Sequence, residues 1–466
     1  MIEGKHEERM TKTMIDTAST IYRFSAYVAS AVAVPLPADV VSKTKNHLLD
    51  TLGAIVSGSH LLPGRASIDF IRGEGGTPEA HVIGSNIKTT AINAAWANGM
   101  MGHADETDDH HLPSITHPGC CVVPAALAVG ERLNVTGADL LSAIALGYDV
   151  TARIGEALTN KLFFEGKSMA SFGGIFGSAA AAAGLLRLNE AQIRYCFSYA
   201  AQQAAGSRSW QRDADHMEKA HVLGGSPARN GVMFSLMMAA GFTGVEDVFS
   251  GDFNFFAAHS PEADQSILLR QLGKYNEIMR ASIKKWCVGG PIQAPLDGLE
   301  TLMQKGITGD DIVHVEARVA SHHAHVVDNR DNPTINLQHI LGLRMADGKV
   351  TFASCHDMKR MSDINVLHHK AKVNLIYDKE MDKVAPRRPV DVEITLRDGT
   401  RHREKANAVR GTADNPMSFE EVETKALDLM MPVIGMERAR RVCAHVASLD
   451  RAPDLGGLMA SLSMSG

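Results

Sequence analysis

Residues Ile312-Val-His-Val-Glu-Ala-Arg-Val319 alternate apolar and polar side chains with a period of two. A strand presents successive residues to opposite faces, so this stretch reads as a half-buried β-strand. It marks where the chain changes character. Up to about residue 250 the apolar residues recur at helical spacing, over 39–57, 89–103, 124–133, 139–158, 173–186, 190–205 and 227–240. Thr136-Gly-Ala-Asp139 and Thr243-Gly-Val-Glu246 have the form of capping boxes and mark helix starts. The small residues Ala179–Gly184 suit a tightly packed core helix. Beyond 270, Lys372–Tyr377 and Val390–Leu396 also alternate, and Arg397-Asp-Gly-Thr400 reads as a tight turn into a return strand through Arg403. A helical stretch, Leu337–Ala346, lies between them. After Arg410 the pattern is helical again, opened by the capping box Ser418-Phe-Glu-Glu421. The expected fold is mainly α. A helical domain is built from both chain ends (15–268 and 405–466), and a smaller α+β lid domain is inserted at 269–404.

Composition sets outer bounds. The chain has 466 residues, 45% hydrophobic and 21% charged, with net charge −6. That balance supports a sizeable core and gives no basis for nucleic-acid binding. No run nears the ~18 apolar residues that span a membrane. Six scattered cysteines without CxxC spacing fit a reducing cytoplasm. The first ~14 residues are polar and read as a flexible tail.

The chemistry concentrates in His103-Ala-Asp105-Glu106-Thr-Asp108-Asp109-His110-His111-Leu-Pro-Ser-Ile-Thr-His117-Pro118-Gly119. Fifteen of these residues hold four histidines and four carboxylates. So many titratable groups are costly in a core and serve best on a cavity wall. As ligands they suit zinc, iron or manganese, but HExxH spacing is missing and no metal is expected. A third reading, a helix cap with solvated charges, assigns them no chemistry. Proton transfer uses them best, because histidine titrates near neutrality and carboxylates tune it.

Two basic stretches could hold anions. One is Ser207-Arg208-Ser-Trp210-Gln-Arg212 with Lys219, before a glycine-rich turn; a solvated surface loop explains it equally well. The other is Lys284-Lys285-Trp286-Cys287-Val-Gly289-Gly290-Pro291, a weak signal alone. His322-His323-Ala-His325 reads as a surface turn. GxSxG, P-loop and SxxK motifs are absent, which leaves serine acyl transfer and nucleotide hydrolysis unsupported.

Several blocks together resemble the MmgE/PrpD family of 2-methylcitrate dehydratases, cis-aconitate decarboxylases and iminodisuccinate epimerase. They are Asn98-Gly-Met-Met-Gly-His103-Ala104, Asp108-Asp109, His117-Pro118, Ala145-Leu-Gly147-Tyr148-Asp149, Lys219–Gly231, Lys284-Lys-Trp286 and Asn415-Pro416-Met417-Ser418, in the family's order along nearly the whole chain. The resemblance implies a homodimer and cofactor-free chemistry on a small polycarboxylate. It places catalytic roles on Glu106, His110, His117, Lys219 and Lys284, with His110 standing where relatives carry threonine. Asp109, Tyr148, Arg208, Arg212 and Lys285 are expected to bind substrate or orient the histidines. One departure stands out. Where dehydratases and decarboxylases carry Phe-His-Pro-Thr, this chain reads Lys167-Ser168-Met169-Ala170, with His216 or His221 as possible replacements for the histidine.

An epimerase needs two proton-transfer groups on opposite faces of one carbon and no acid for a leaving group. The reduced histidine set therefore suggests an epimerase acting on an iminodisuccinate-like α-carbon, with His117 and one lysine as the two bases. A methylcitrate hydro-lyase or cis-aconitate decarboxylase is the alternative. A binding module without turnover ranks last.

Overall fold

The computed structural model describes residues 19–159, 161–384 and 387–464. The polar N-terminal tail expected from the sequence lies outside these residues. Among the long helices, α1 spans Thr20–Ala31, α2 Ala38–Gly58, α3 Leu62–Glu74, α4 Ala91–Gly102, α5 Gly119–Leu133, α6 Gly137–Ala157, α7 Met169–Leu185, α8 Glu190–Gln203 and α9 Ser226–Ala239. A four-stranded sheet and two more long helices follow. They are α10 (Gly290–Met303), β1 (Ile312–Ala320), α11 (Leu337–Asp347), β2 (Val373–Asp378), β3 (Val390–Leu396) and β4 (Arg401–Ala406). Helices α12 (Phe419–Ile434) and α13 (Met436–Ala447) follow, before a short helix at Gly456–Leu462. The fold is mainly α with a small α+β part.

Helix α7 explains the packing of the first part. Its alanines and glycines leave no polar face, so it is buried on all sides, against α5, α6 and α9. Phe176, Phe197, Phe249 and Phe255 fill the space beside it, with ring centroids 5.1–6.5 Å apart. Each such burial contributes ~1.5–3 kcal/mol. Helix α12 returns from the far end of the sequence to pack on α2. Its buried stripe, Val422, Lys425, Ala426 and Leu429, has the i, i+3, i+4, i+7 spacing of a helix face. One core holds residues from Ile21 to Ile283 together with Met417–Leu462, and a second holds Trp286–Ile394 with Leu429.

The sheet has the order β2-β1-β3-β4. Strand β1 pairs parallel with β2 and antiparallel with β3. Strand β4 carries Arg401, Arg403 and Lys405 at the sheet edge, where charge deters further pairing. Their partners are Asp391 and Glu393 on β3.

Two local expectations fail. Thr243–Glu246 caps no helix: Glu246 turns to Arg194 (2.8 Å), and Asp247 organises the following turn by accepting from the Phe249 and Ser250 amides. The triple-histidine stretch is a short helix, Ser321–Val327, continuing directly from β1, with His322 bonded to Asp382 at 2.6 Å. Helix α5 also starts earlier than its periodicity implied, at Gly119. A Cβ there would lie 2.5 Å from Thr51 Oγ1 and 2.7 Å from Asp109 Oδ1, so only glycine permits this close approach.

Candidate active site

The titratable stretch runs from the end of α4 to the start of α5, with little regular structure. The two neighbouring carboxylates Asp108 and Asp109 bind separate sets of partners. Asp108 Oδ2 accepts from His103 Nδ1 at 2.8 Å and His117 Nδ1 at 3.1 Å. Donation through Nδ1 leaves Nε2 as the basic nitrogen of each neutral ring. His103 is wholly buried, whereas the His117 side chain stays 22% exposed, so His117 is the accessible ring of the pair. The two rings meet edge to face at 5.0 Å, and His216 lies 5.3 Å from His103.

Both family lysines reach this cluster. The Lys219 ammonium pairs with Glu106 and stands 5.1 Å from the Trp210 ring centre. Lys284, 3% exposed, donates to the Glu106 carbonyl at 2.7 Å and lies 3.5 Å from Asp108 Oδ1. Burial pushes both carboxyls up, but the cations outweigh it. Lys219 and Lys284 hold Glu106 well below the usual carboxylate range, and His103, His117 and Lys284 do the same for Asp108. Burial, with the Lys219 charge, pushes His216 down to about 3 and keeps that ring neutral. His216 adopts a left-handed backbone (φ 60°) just before the turn that carries Lys219. Non-glycine residues accept that conformation rarely, and such strain concentrates at functional sites.

A cavity of about 1130 Å³ opens beside the cluster, between the helical body and the α+β part. Glu106, His216 and Lys219 line the body side, and His325, Arg330 and His356 the other. His356 Nε2 lies 2.8 Å from Asp105 Oδ2, tying the two walls together.

Other expected site residues are placed elsewhere. Asp109 and Tyr148 face away from the cavity. Tyr148 donates to Asp109 Oδ2 at 2.6 Å, the Gly119 amide donates to Oδ1 at 3.0 Å, and His47 completes the set. The histidine held by Asp109 is thus His47, and Tyr148, 1% exposed, is closed off from substrate. Arg208 stands over the Phe163 ring at 3.6 Å and donates from Nη1 to the Phe163 carbonyl, outside the residues lining the cavity. Lys285 stands over Trp286 and 3.6 Å from Asp297, outside the residues lining the cavity. Arg212 sits exposed on the cavity rim. His110 lies 6.4 Å from His117, lines a separate small void and pairs through its backbone with Ser282. His221 accepts from Trp96 Nε1 at 3.2 Å; of the two candidate replacements for the missing histidine, His216 is the one beside the cluster.

Some participants escaped the sequence reading. Lys425 on α12 binds Asp50 Oδ1 at 2.6 Å and the Thr107 carbonyl at 2.9 Å, holding the loop from behind. A lysine on an otherwise apolar stripe was the available signal. Asp50 and His47 give the same signal on α2. Arg388 gave none.

Among the described residues, two sets each bring their ligand atoms within 4.8 Å of one another: His103, Asp108 and His117 form one, and His111, Glu156 and Glu277 the other. The first could ligate a metal ion. Its N–O distances of 2.8 and 3.1 Å also suit hydrogen bonds, which makes it a proton-holding pair bridged by a carboxylate. In the second, Arg270 and Arg280 already bridge both glutamates.

Comparisons with known proteins find relatives along most of the chain. The chain is 26% identical to the cis-aconitate decarboxylase-like protein oryM of Aspergillus oryzae (strain ATCC 42149 / RIB 40), over 92% of this chain and 94% of that protein. It is 25% identical to cis-aconitate decarboxylase of Homo sapiens, over 83% and 82% of the two chains, and 24% identical to that of Mus musculus, over 83% and 81%. Residues 22–268 match the model of the MmgE/PrpD N-terminal domain and residues 286–451 that of the C-terminal domain, so the chain belongs to the MmgE/PrpD family.

Proposed function

We propose that this protein is a lyase of the cis-aconitate decarboxylase type, acting on a small polycarboxylate. The observation that carries the reading is the cluster of His117, Asp108, Lys219, Lys284 and Glu106 beside a large cavity. Decarboxylation breaks the bond between a carboxylate carbon and its neighbour and releases carbon dioxide. The electron pair stays on the substrate, spread into the adjoining unsaturated acid, until a proton reaches carbon. Lys219 and Lys284 supply positive charge for the remaining carboxylates and for the developing negative charge. His117, oriented by Asp108 through Nδ1, is the proton donor in its imidazolium form, which carries a second hydrogen on Nε2. Glu106 holds both lysines in place.

The names of the relatives favour a lyase over the epimerase expected from the sequence. That expectation rested on the histidine missing at Ser168. His216, beside His103, supports the lyase by restoring an imidazole to the cluster. The division into 15–268 with 405–466 and 269–404, a homodimer and a cytoplasmic location belong to the same proposal. No helix of the described residues is long and apolar enough to cross a membrane.

A substrate panel tests the reading. Purified full-length protein is given cis-aconitate, 2-methylcitrate and the iminodisuccinate stereoisomers. Carbon dioxide released from cis-aconitate is the expected result. Inversion of iminodisuccinate with deuterium uptake from solvent, and no lyase product, would restore the epimerase reading.

A further inference from the structure

A second, much smaller void lies against Lys284. Its volume is about 10 Å³, room for one water-sized atom. The first cavity carries several acidic side chains, but no carboxylate lines this one. Its wall includes His110, Ser282, Lys284, Gly290, Arg388 and Arg410.

Three observations make this an incomplete site. First, Arg388 has no carboxylate within 4.0 Å among the described residues, although Arg387 and Arg410 each have one. Its Nε is sealed from water without a hydrogen-bond partner. A guanidinium nitrogen closed off in this way costs free energy until an acceptor faces it. Second, both ring nitrogens of His110 are sealed and unpartnered. One of them carries a hydrogen in the neutral ring and can donate it. Third, the void adjoins the start of α10, a fourteen-residue helix. The Gly289 amide is taken by the Thr334 carbonyl and the Ile292 amide by the Gly289 carbonyl, and Pro291 has none. The Gly290 amide remains as a donor at the positive end of the helix. Gly290 also lets the arginine approach: a Cβ there would lie 2.1 Å from Arg388 Nη1. Lys284 lines the void while bonding to Glu106, so one side chain joins it to the proton-transfer cluster.

We propose that Arg388, His110 and the first turn of α10 form a subsite for one carboxylate oxygen of the substrate, across Lys284 from the proton-transfer cluster. The inference rests on the polycarboxylate reading for its ligand class. It gives His110, which stands where relatives carry threonine, a function in selecting substrate. Arg388 comes from the α+β part and His110 from the helical body, so a bound carboxylate would join the two.

The test uses full-length protein and propane-1,2,3-tricarboxylate, which cannot be turned over. Titration calorimetry compares wild type with Arg388→Gln, and circular dichroism melting checks the fold. A charged hydrogen bond lost on binding predicts about 10-fold or greater weakening, with Arg388→Lys recovering part of it. Should Arg388→Gln melt early, Gly290→Ala serves instead; it displaces the guanidinium without removing the charge and should weaken binding similarly. Affinity in these variants within about 2-fold of wild type overturns the subsite, as does a wild type that binds no tricarboxylate. The lyase reading fails separately. Binding that depends on Arg388 without carbon dioxide release from cis-aconitate keeps the subsite and removes the lyase. Turnover with an unchanged KM in Arg388→Gln does the reverse.

Discussion

Asp108 and Asp109 are adjacent in the chain and serve two different regions. Asp108 belongs to a front cluster with His103, His117 and Lys284, beside a cavity. Asp109 belongs to a rear cluster with His47, Tyr148 and the Gly119 amide, shut inside the helical body. Below the rear cluster, Asp50 and Lys425 form a second buried unit. Residue types are nearly the same on both sides. Access is what differs: the front keeps His117 partly exposed, and the rear is sealed. A carboxylate–histidine pair is thus machinery or scaffold according to what its far side faces.

The sharpest way to break this contrast is to remove one group from each side and measure both activity and stability. His117→Asn takes away a partly exposed ring, so the melting temperature should hardly move, while kcat should fall by about 10²–10⁴-fold, the usual contribution of an acid or base. A variant that keeps wild-type turnover would remove His117 from the chemistry. Lys425→Met acts in the opposite sense. It leaves Asp50 buried without its cation and the Thr107 carbonyl without its donor, at a cost of about 3–5 kcal/mol in unfolding free energy. Denaturant titration reads this directly, and a loss under about 1 kcal/mol would mean that the loop does not depend on Lys425.

Tyr148→Phe probes the rear more gently. It deletes the hydroxyl that donates to Asp109 while leaving the Gly119 amide and His47 in place. Loss of a hydrogen bond to a charged acceptor costs about 1.5–3 kcal/mol. Stability should fall by that amount with KM for the substrate unchanged. A raised KM at full stability would instead restore Tyr148 as a substrate ligand.

The sequence carried the fold more plainly than the site, for physical reasons. Helices such as α6 and strands such as β3 bury a periodic face, and periodicity is a local property that survives in one sequence. The density of titratable residues between His103 and His117 likewise marked the loop. Which way each residue turned was not legible, because the loop has no period to read and its partners come from distant helices. Asp109 and Tyr148 were expected to orient the catalytic histidines, yet His47, 62 residues away in sequence, is the partner that Asp109 keeps. Arg208 looked like an anion binder, but it packs on the Phe163 ring and bonds the Phe163 carbonyl, outside the residues lining the cavity. Arg388 gave no warning at all, since its isolation is a matter of which carboxylates stay away.

The smallest expected effect separates the two sides by pH. His111 lies on the same loop as His117 but is sealed, 1% exposed, with Nδ1 bonded to Ser114 Oγ at 2.8 Å and Nε2 unpartnered. Burial pushes it down to about 3, against the upward pull of Glu277 3.8 Å away. Its folded value therefore lies below the ordinary 6.5 of the unfolded chain, and between these two values the unfolded state binds more protons. The contribution is fully present above pH 6.5 and declines as pH falls towards 3. Between pH 7 and 5.5 this one ring should cost about 1 kcal/mol. His111→Gln removes the titration, so the stability difference between those two pH values should shrink by that amount in denaturant titrations. An unchanged difference would mean that His111 gains its proton in the folded state as readily as in the unfolded chain. The rear of the loop would then be wet, and exposure would no longer distinguish it from the front.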